Sequence, residues 1–312
     1  MGKIAFVFPG QGAQAIGMGR DAYERHAEAR QVFHRADEVL GFSLSGLIFE
    51  GPDTELKKTA NTQPALLTTS IALYEAVRGH GIAPDYVAGH SLGEYSALVV
   101  AGVMSLEDAV RTVRARGEFM EAAVPGGTGA MAAVLGAERG DLDRLCREVT
   151  EAGHVVEMAN VNCPGQIVVS GSAAGVQAIV ERGKEVGAKR VIPLEVSGPF
   201  HSSLMKPAAD RLSAVLERLP MQDASVPVVA NVTARPVQMA SDIRGLLVDQ
   251  VCAPVLWEDS ISWLIGQGVD TFVEIGSGSV LSGLIKKIDK NVTIHTLNSL
   301  EAIERFAEEI KA

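Results

Sequence analysis

The pentapeptide GHSLG occupies residues 89–93 and places a serine between two glycines. Residues 85–88 before it predict a short buried strand, and residues 94–100 after it predict a helix. A G-x-S-x-G turn between a strand and a helix is typical of a nucleophile elbow, in which the glycines allow a sharp turn that exposes the serine hydroxyl. The pattern therefore predicts an acyl-transfer enzyme with Ser91 as its nucleophile. An ordinary strand–helix turn is the alternative that this pattern alone leaves open.

The composition of the chain limits the classes of function it can have. Its 312 residues include 47% hydrophobic residues and 32 glycines, which suits an α/β protein with many tight turns. The three cysteines have no paired spacing, so the sequence predicts neither a disulfide framework nor a metal site, and a cytoplasmic location is expected. No apolar run is long enough to cross a membrane. A net charge of −10 argues against binding to nucleic acid or to an anionic membrane surface.

The order of predicted elements indicates an α/β fold with an insertion. Strands and helices alternate in the first part of the chain, where one helix is expected over residues 21–40 and another over residues 64–80. Residues 127–196 then show the order β-α-β-β-α-β, which is typical of a ferredoxin-like unit. We therefore expect a large α/β-hydrolase-like catalytic subdomain with a parallel sheet, formed by residues 1–126 and 197–312, and a small inserted subdomain formed by residues 127–196. A cleft is expected where the two meet.

A serine hydroxyl needs a neighbouring base, and histidine suits this role near neutral pH. Of the seven histidines, His90 is too close to Ser91 along the chain for good geometry. His201 lies between a predicted strand and a predicted helix, where the chain returns to the large body, and His295 lies on the last predicted strand. Active-site residues cluster on such loops, so His201 is favoured, with His295 as the alternative.

Several motifs together resemble one family over essentially the whole chain. They are FPGQG at residues 8–12, QPA at 63–65, GHSLGEY at 89–95, and FH at 200–201 followed by MKP at 205–207. The chain resembles the malonyl-CoA:acyl carrier protein transacylases of fatty-acid and polyketide synthesis. The resemblance implies transfer of malonyl from malonyl-CoA to the phosphopantetheine thiol of acyl carrier protein, by a ping-pong mechanism through a malonyl-serine ester.

The resemblance also implies roles for five residues around the reacting bond. Ser91 would be the nucleophile and His201 its base, oriented by the main-chain carbonyl of Gln250 rather than by a carboxylate. The main-chain N–H groups of Gln11 and Leu92 would form the oxyanion hole. Without the resemblance, a plain strand–helix connection is the better explanation of the loop that contains Gln11.

Malonyl carries a free carboxylate, for which a planar guanidinium is the best partner. The resemblance implies that Arg116 has this role. Helical periodicity does not distinguish Arg116 from Arg114, since both flank the apolar stripe of their helix, while Arg111 points further out. A solvated helix face is the expected position of Arg111 and Arg114.

The remaining implied site residues shape the acyl pocket. Met120 and Phe200 are expected to line it, and the leucine at position 92 with Phe200 favours malonyl over a branched acyl group. Asn160 and Asn162 are expected to line the cleft from the small subdomain, although turn formation before a proline would also explain Asn162.

The resemblance implies malonyl-CoA and acyl carrier protein as partners and no metal or other cofactor, and a monomer is expected. Three other functions remain open. The first is a serine esterase or thioesterase of the α/β-hydrolase type, and the second is a polyketide-pathway acyltransferase for another extender unit. The third is a non-catalytic docking module for carrier proteins.

Overall fold

The computed structural model describes residues 2–311, which form two β-sheets surrounded by helices. The first part of the chain contains β1 (Lys3–Phe8), α1 (Arg20–Arg25), α2 (Ala27–Leu40), α3 (Leu44–Glu50), α4 (Asp53–Leu56), α5 (Thr59–Arg78), β2 (Tyr86–Gly89), α6 (Leu92–Val100) and α7 (Leu106–Ala122). The middle part contains β3 (Gly129–Leu135), α8 (Arg139–Glu151), β4 (Val156–Cys163), β5 (Gln166–Ser172), α9 (Ala173–Arg182) and β6 (Arg190–Pro193). The last part contains α10 (Lys206–Glu217), β7 (Val228–Ala230), β8 (Arg235–Val237), α11 (Ala240–Gln250), β9 (Val255–Leu256), α12 (Trp257–Gly266), β10 (Val269–Ile275), α13 (Val280–Ile288), β11 (Thr293–Leu297) and α14 (Leu300–Lys311). Within these residues, no helix is long and apolar enough to span a bilayer.

The larger sheet has the strand order β11-β10-β1-β2-β7-β8 and is parallel except for its last pair. Its central strands are covered on both faces, so β1 is an almost continuous apolar run, as buried parallel strands usually are. This confirms the predicted α/β fold with a parallel sheet. The antiparallel strand β8 was not predicted, because its three residues are mostly exposed and include a proline at the sheet edge.

The smaller sheet has the order β6-β3-β5-β4-β9. Its first four strands are antiparallel and are joined in the predicted β-α-β-β-α-β order, so the ferredoxin-like arrangement is confirmed. The fifth strand, β9, comes from the last part of the chain and pairs in parallel with β4, with Asn160 opposite Val255. A strand of two residues has no periodicity for sequence analysis to detect. The subdomain boundaries at residues 127 and 196 stay a prediction.

Two predicted helices differ from the observed ones at particular residues. The helix expected over residues 21–40 is divided by His26, which has extended backbone and whose ring nitrogen caps α2 by accepting from the N–H of Ala29. The helix expected to begin at Pro64 begins at Thr59, so that the proline lies inside it. A proline has no N–H to donate to the carbonyl four residues earlier.

Arg114 compensates for the N–H group that Pro64 lacks. The carbonyl of Ala60 is the acceptor that this N–H would have met, and the Arg114 guanidinium donates to it at 3.2 Å. The same guanidinium donates to Asn61 and to Glu118. The expectation that Arg114 lies on a solvated helix face is therefore wrong, because the Arg114 side chain connects α7 to the first turn of α5.

The contact between α5 and α7 depends on a glycine. A Cβ at Gly117 would lie 2.7 Å from the Cα of Ala60, so the two helices approach too closely for any side chain there. Substitution of Gly117 by alanine is expected to destabilise the fold by about 1–3 kcal/mol through overpacking, although alanine is the better helix former. Urea unfolding measures this change.

Gly245 in α11 provides the matched control, because a Cβ there meets no atom within 4 Å. Gly245→Ala is expected to be neutral or to stabilise by up to about 1 kcal/mol. Equal stability changes in the two variants would contradict the steric explanation.

Candidate active site

Ser91 lies between the end of β2 and the start of α6, where the larger sheet presents the carboxyl ends of its parallel strands. Its φ of 50° and ψ of −108° place it in a region that non-glycine residues rarely occupy. The flanking glycines have a different role from the expected one, because neither has a positive φ. A Cβ on Gly93 would overlap the main-chain oxygen of Phe8, and a Cβ on Gly89 would overlap Gly93. The glycines therefore permit close packing of the elbow, and the strain lies in the serine itself.

Asn231 holds the elbow in this conformation. Its side-chain oxygen accepts the N–H of Ser91 at 2.8 Å, and its Nδ2 donates to the carbonyl of Gly89 at 2.7 Å. Sequence analysis missed this residue. It directly follows β7, the neighbour of β2, and the ends of adjacent parallel strands meet at one edge of a sheet, so its position after a predicted strand was the available signal.

His201 is adjacent to Ser91. Its Nε2 lies 2.7 Å from Ser91 Oγ, and its Nδ1 lies 2.8 Å from the main-chain oxygen of Gln250. Since a carbonyl only accepts, Nδ1 carries the proton and Nε2 is left free to accept the serine proton. The alternative, His295, lies in β11, three strands away from β2, with its ring against Phe306.

Burial favours the neutral form of His201. Desolvation and then the charge of Arg116 lower the pKa of His201 to about 3. A lowered histidine pKa means that the ring stays neutral, and able to act as a base, at any pH well above 3.

The signal of His201 in an NMR titration is therefore expected to stay constant from about pH 8 down to about pH 5. Comparison with a His201→Gln variant identifies the signal. A midpoint near the ordinary value of 6.5 would contradict the deduced protonation state.

Arg116 is 1% exposed and points from α7 toward the serine. Its Nη2 donates to Ser91 Oγ at 3.2 Å and to the side-chain oxygen of Gln250 at 3.0 Å, while Nη1 donates to Gln63 at 2.8 Å. Arg111, in contrast, is exposed and pairs with Asp108. Arg114, which periodicity leaves equivalent to Arg116, instead donates to Ala60, Asn61 and Glu118, so the structure distinguishes these two arginines.

The two residues expected to supply oxyanion donors line the same cavity as Ser91. Gln11 and Leu92 both line it, and within residues 2–311 neither main-chain N–H donates to a protein acceptor. The side chain of Gln11 is held by its donation to Thr59 Oγ1 at 3.0 Å. Two free N–H groups beside a nucleophile can stabilise an oxyanion.

The cavity has a volume of about 120 Å³, and a second chamber of about 240 Å³ shares several lining residues with it. The first chamber contains the serine, the histidine and the arginine, together with Met120 and Phe200. Asn160 lines both chambers. Asn162 lines only the second, where its side-chain oxygen lies 2.8 Å from His90 Nε2, so it contacts the elbow histidine and not the nucleophile.

Gln250 and Glu94 form a buried polar cluster below the serine. Gln250 is fully buried, and its Nε2 donates to Glu94 Oε2 at 2.8 Å. Burial raises the pKa of Glu94 to about 7. Sequence analysis assigned no role to Glu94, Gln63 or Asn231, because their polar contacts are made only after the chain has folded. Among the described residues, no group of three or more His, Cys, Asp or Glu side chains is placed to hold a metal ion.

Comparisons with known proteins cover nearly the whole chain. The sequence profile of the acyl transferase domain matches residues 5–303. The chain is 55% identical over 311 residues to the malonyl CoA-acyl carrier protein transacylase of Bacillus subtilis (strain 168), covering 100% of this chain and 98% of that protein.

Solved structures have the same fold. The acyl-carrier-protein-S-malonyltransferase of Bartonella henselae superposes with a TM-score of 0.96 at 44% identity, covering 99% of this chain and 100% of that one. A malonyl-transacylase solved in complex with its type II PKS acyl-carrier protein superposes with a TM-score of 0.96 at 43% identity, covering 98% of this chain and 99% of that one.

Proposed function

The chain belongs to the acyl transferase domain family, among the malonyl-CoA:acyl carrier protein transacylases, and we propose that it transfers malonyl from malonyl-CoA to the phosphopantetheine thiol of an acyl carrier protein. The observation that carries this proposal is the position of one hydroxyl between a base and a cation. Ser91 Oγ lies 2.7 Å from His201 Nε2 and 3.2 Å from Arg116 Nη2.

In the first half-reaction, His201 Nε2 takes the proton of Ser91 as Oγ attacks the thioester carbonyl of malonyl-CoA. The negative charge that develops on the carbonyl oxygen is accepted by the N–H groups of Gln11 and Leu92. The C–S bond then breaks, the imidazolium returns its proton to the departing thiolate, and a malonyl-serine ester and free coenzyme A result.

In the second half-reaction, the thiol of the carrier protein attacks the ester carbonyl after losing its proton to His201. The same two N–H groups hold the oxyanion. The bond between the malonyl carbonyl carbon and Ser91 Oγ then breaks as the imidazolium protonates Oγ. This releases the malonyl carrier protein and restores the site. Thioester exchange needs only a base, an acid and oxyanion donors, so the proposed reaction requires no metal or redox cofactor. Because one chain supplies all of these groups, we propose that a monomer suffices.

Recognition of malonyl is assigned to Arg116. A cation that is buried away from water binds a carboxylate strongly, and a guanidinium can do so with two parallel hydrogen bonds. Arg116 already donates to Gln63 and Gln250, which hold the guanidinium in place before a substrate arrives. Met120 and Phe200 supply apolar walls that limit the size of the acyl group, and Asn160, which lines both chambers, is proposed to contact the thioester arm.

Docking of an acidic carrier protein would need positive charge at the mouth of the second chamber. Lys287, exposed on α13, donates to Gln166 in the wall of that chamber at 3.3 Å. Lys286 is its exposed neighbour. We propose this pair as part of the docking rim, since local positive charge would offset the acidic balance of the chain.

Incubation with malonyl-CoA alone tests the proposal. A transferase is expected to release one equivalent of coenzyme A in a burst and then stop, because the malonyl ester waits for an acceptor thiol. Subsequent addition of carrier protein bearing phosphopantetheine should discharge the ester and restart turnover.

Two results would contradict the proposal, and each would favour a different function. Continuous coenzyme A release without an acceptor would identify an esterase or thioesterase. No release and no malonyl adduct in the intact mass would identify a non-catalytic docking module.

A further inference from the structure

We propose that Glu94 is a positioning residue for the transfer reaction proposed above: it fixes the orientation of the Gln250 side-chain amide, and through that amide the direction of Arg116. Glu94 lies in the first turn of α6, three residues after the nucleophile, and is 2% exposed. It does not line the substrate cavity, so it acts through other residues and not on the substrate.

The Gln250 amide has two chemically different ends, and the surroundings distinguish them. Its Nε2 faces three oxygen atoms, namely Glu94 Oε2 at 2.8 Å, the Ser91 carbonyl at 3.1 Å and Asn231 Oδ1 at 3.2 Å. Its Oε1 accepts from Arg116 Nη2 at 3.0 Å. Rotation of the amide by half a turn would place two donors against each other at Arg116 and an oxygen against three oxygens on the other side.

Glu94 contributes the shortest of the three contacts to Nε2. Asn231 Oδ1 also accepts the N–H of Ser91, so this oxygen accepts from two donors and not from Gln250 alone. Glu94 Oε2 also accepts the main-chain N–H of Asn231 at 3.1 Å, which fixes the carboxyl group relative to β7. The carboxyl accepts through Oε2 whether or not its other oxygen is protonated, so the orienting effect does not require a charge.

Gln250 connects this contact to both functional groups. Its side-chain oxygen holds Arg116, while its main-chain oxygen holds His201 Nδ1. A misoriented amide would repel the guanidinium and displace it from the place where the malonyl carboxylate binds. The main-chain carbonyl would stay in place, since α11 fixes it. Loss of Glu94 should therefore impair malonyl recognition more than serine chemistry.

Serine acylation by malonyl-CoA and by acetyl-CoA separates these effects. Glu94→Leu, which removes the acceptor at similar size, is expected to lower kcat/KM for malonyl-CoA by about 10- to 100-fold, mainly through KM, and to change the acetyl value much less. Glu94→Gln keeps an acceptor oxygen and is expected to restore most of the malonyl activity. Glu94→Asp is too short to reach Gln250 and should give a smaller malonyl-selective loss, which serves as the test if the leucine variant does not fold.

A double-mutant cycle tests whether Glu94 acts through Gln250. Gln250→Leu removes the amide but keeps the main-chain carbonyl. In that background, Glu94→Leu is expected to have no further effect on the malonyl-to-acetyl ratio, because no amide is left to orient. Additive losses, equal losses for both substrates, or a Glu94→Gln variant as impaired as Glu94→Leu would overturn the inference. An unmodified protein that forms no malonyl adduct would instead overturn the proposed function.

Discussion

Replacement of Ser91 by alanine is expected to abolish the malonyl adduct and to lower malonyl transfer by at least about 10⁴-fold. Ser91 Oγ is the atom that forms the ester bond, and without it His201 has no nucleophile to deprotonate in the first half-reaction. Intact mass after treatment with malonyl-CoA, together with transfer kinetics, measures the effect. The fold should be unchanged, because the substitution removes one oxygen atom and adds none.

Ser96 provides the matched control for this substitution. It lies in α6, the helix that directly follows Ser91, is fully buried, and its hydroxyl has no hydrogen-bond partner within the described residues. Ser96→Ala should therefore keep the adduct and the transfer rate. A malonyl adduct that persists in Ser91→Ala would show that another residue is the nucleophile.

Replacement of Arg116 by alanine is expected to lower malonyl transfer by about 10²- to 10³-fold while acetyl transfer is spared or improved. Only malonyl brings a carboxylate into the buried chamber, and without the cation that charge has no partner away from water. Parallel kinetics with malonyl-CoA and acetyl-CoA measure the difference.

Arg111 is the control for the arginine prediction, because it lies on the same helix and is exposed beside Asp108. Arg111→Ala should change neither activity, since exposed ion pairs contribute little. Equal losses of malonyl and acetyl transfer in Arg116→Ala would mean that Arg116 supports the site as a whole and does not recognise the malonyl carboxylate.

The features that local sequence determines could be predicted. The elbow at Ser91 has glycines at fixed spacing between an apolar strand and a helix, and the ferredoxin-like order follows from the alternation of strand and helix patterns. His201 was favoured over His295 because it lies on a loop, and its ring does lie beside the serine.

The features that depend on tertiary contacts could not be predicted. The start of α5 was predicted at Pro64, but the helix begins at Thr59, and Arg114, fifty residues after the proline, satisfies the carbonyl that the proline leaves free. Periodicity left Arg114 and Arg116 equivalent, and only the packing of α7 against α5 separates the two. Asn231 and Glu94 are polar residues whose partners lie far away in the sequence, so nothing local distinguishes them.

The structure of the protein loaded with malonyl-CoA alone tests the central claim most directly. We expect one malonyl ester on Ser91 Oγ, with its carboxylate hydrogen-bonded to Arg116 and its carbonyl oxygen facing the N–H groups of Gln11 and Leu92. A malonyl group attached to another residue, or an ester on Ser91 whose carboxylate points to solvent away from Arg116, would contradict the proposed reaction.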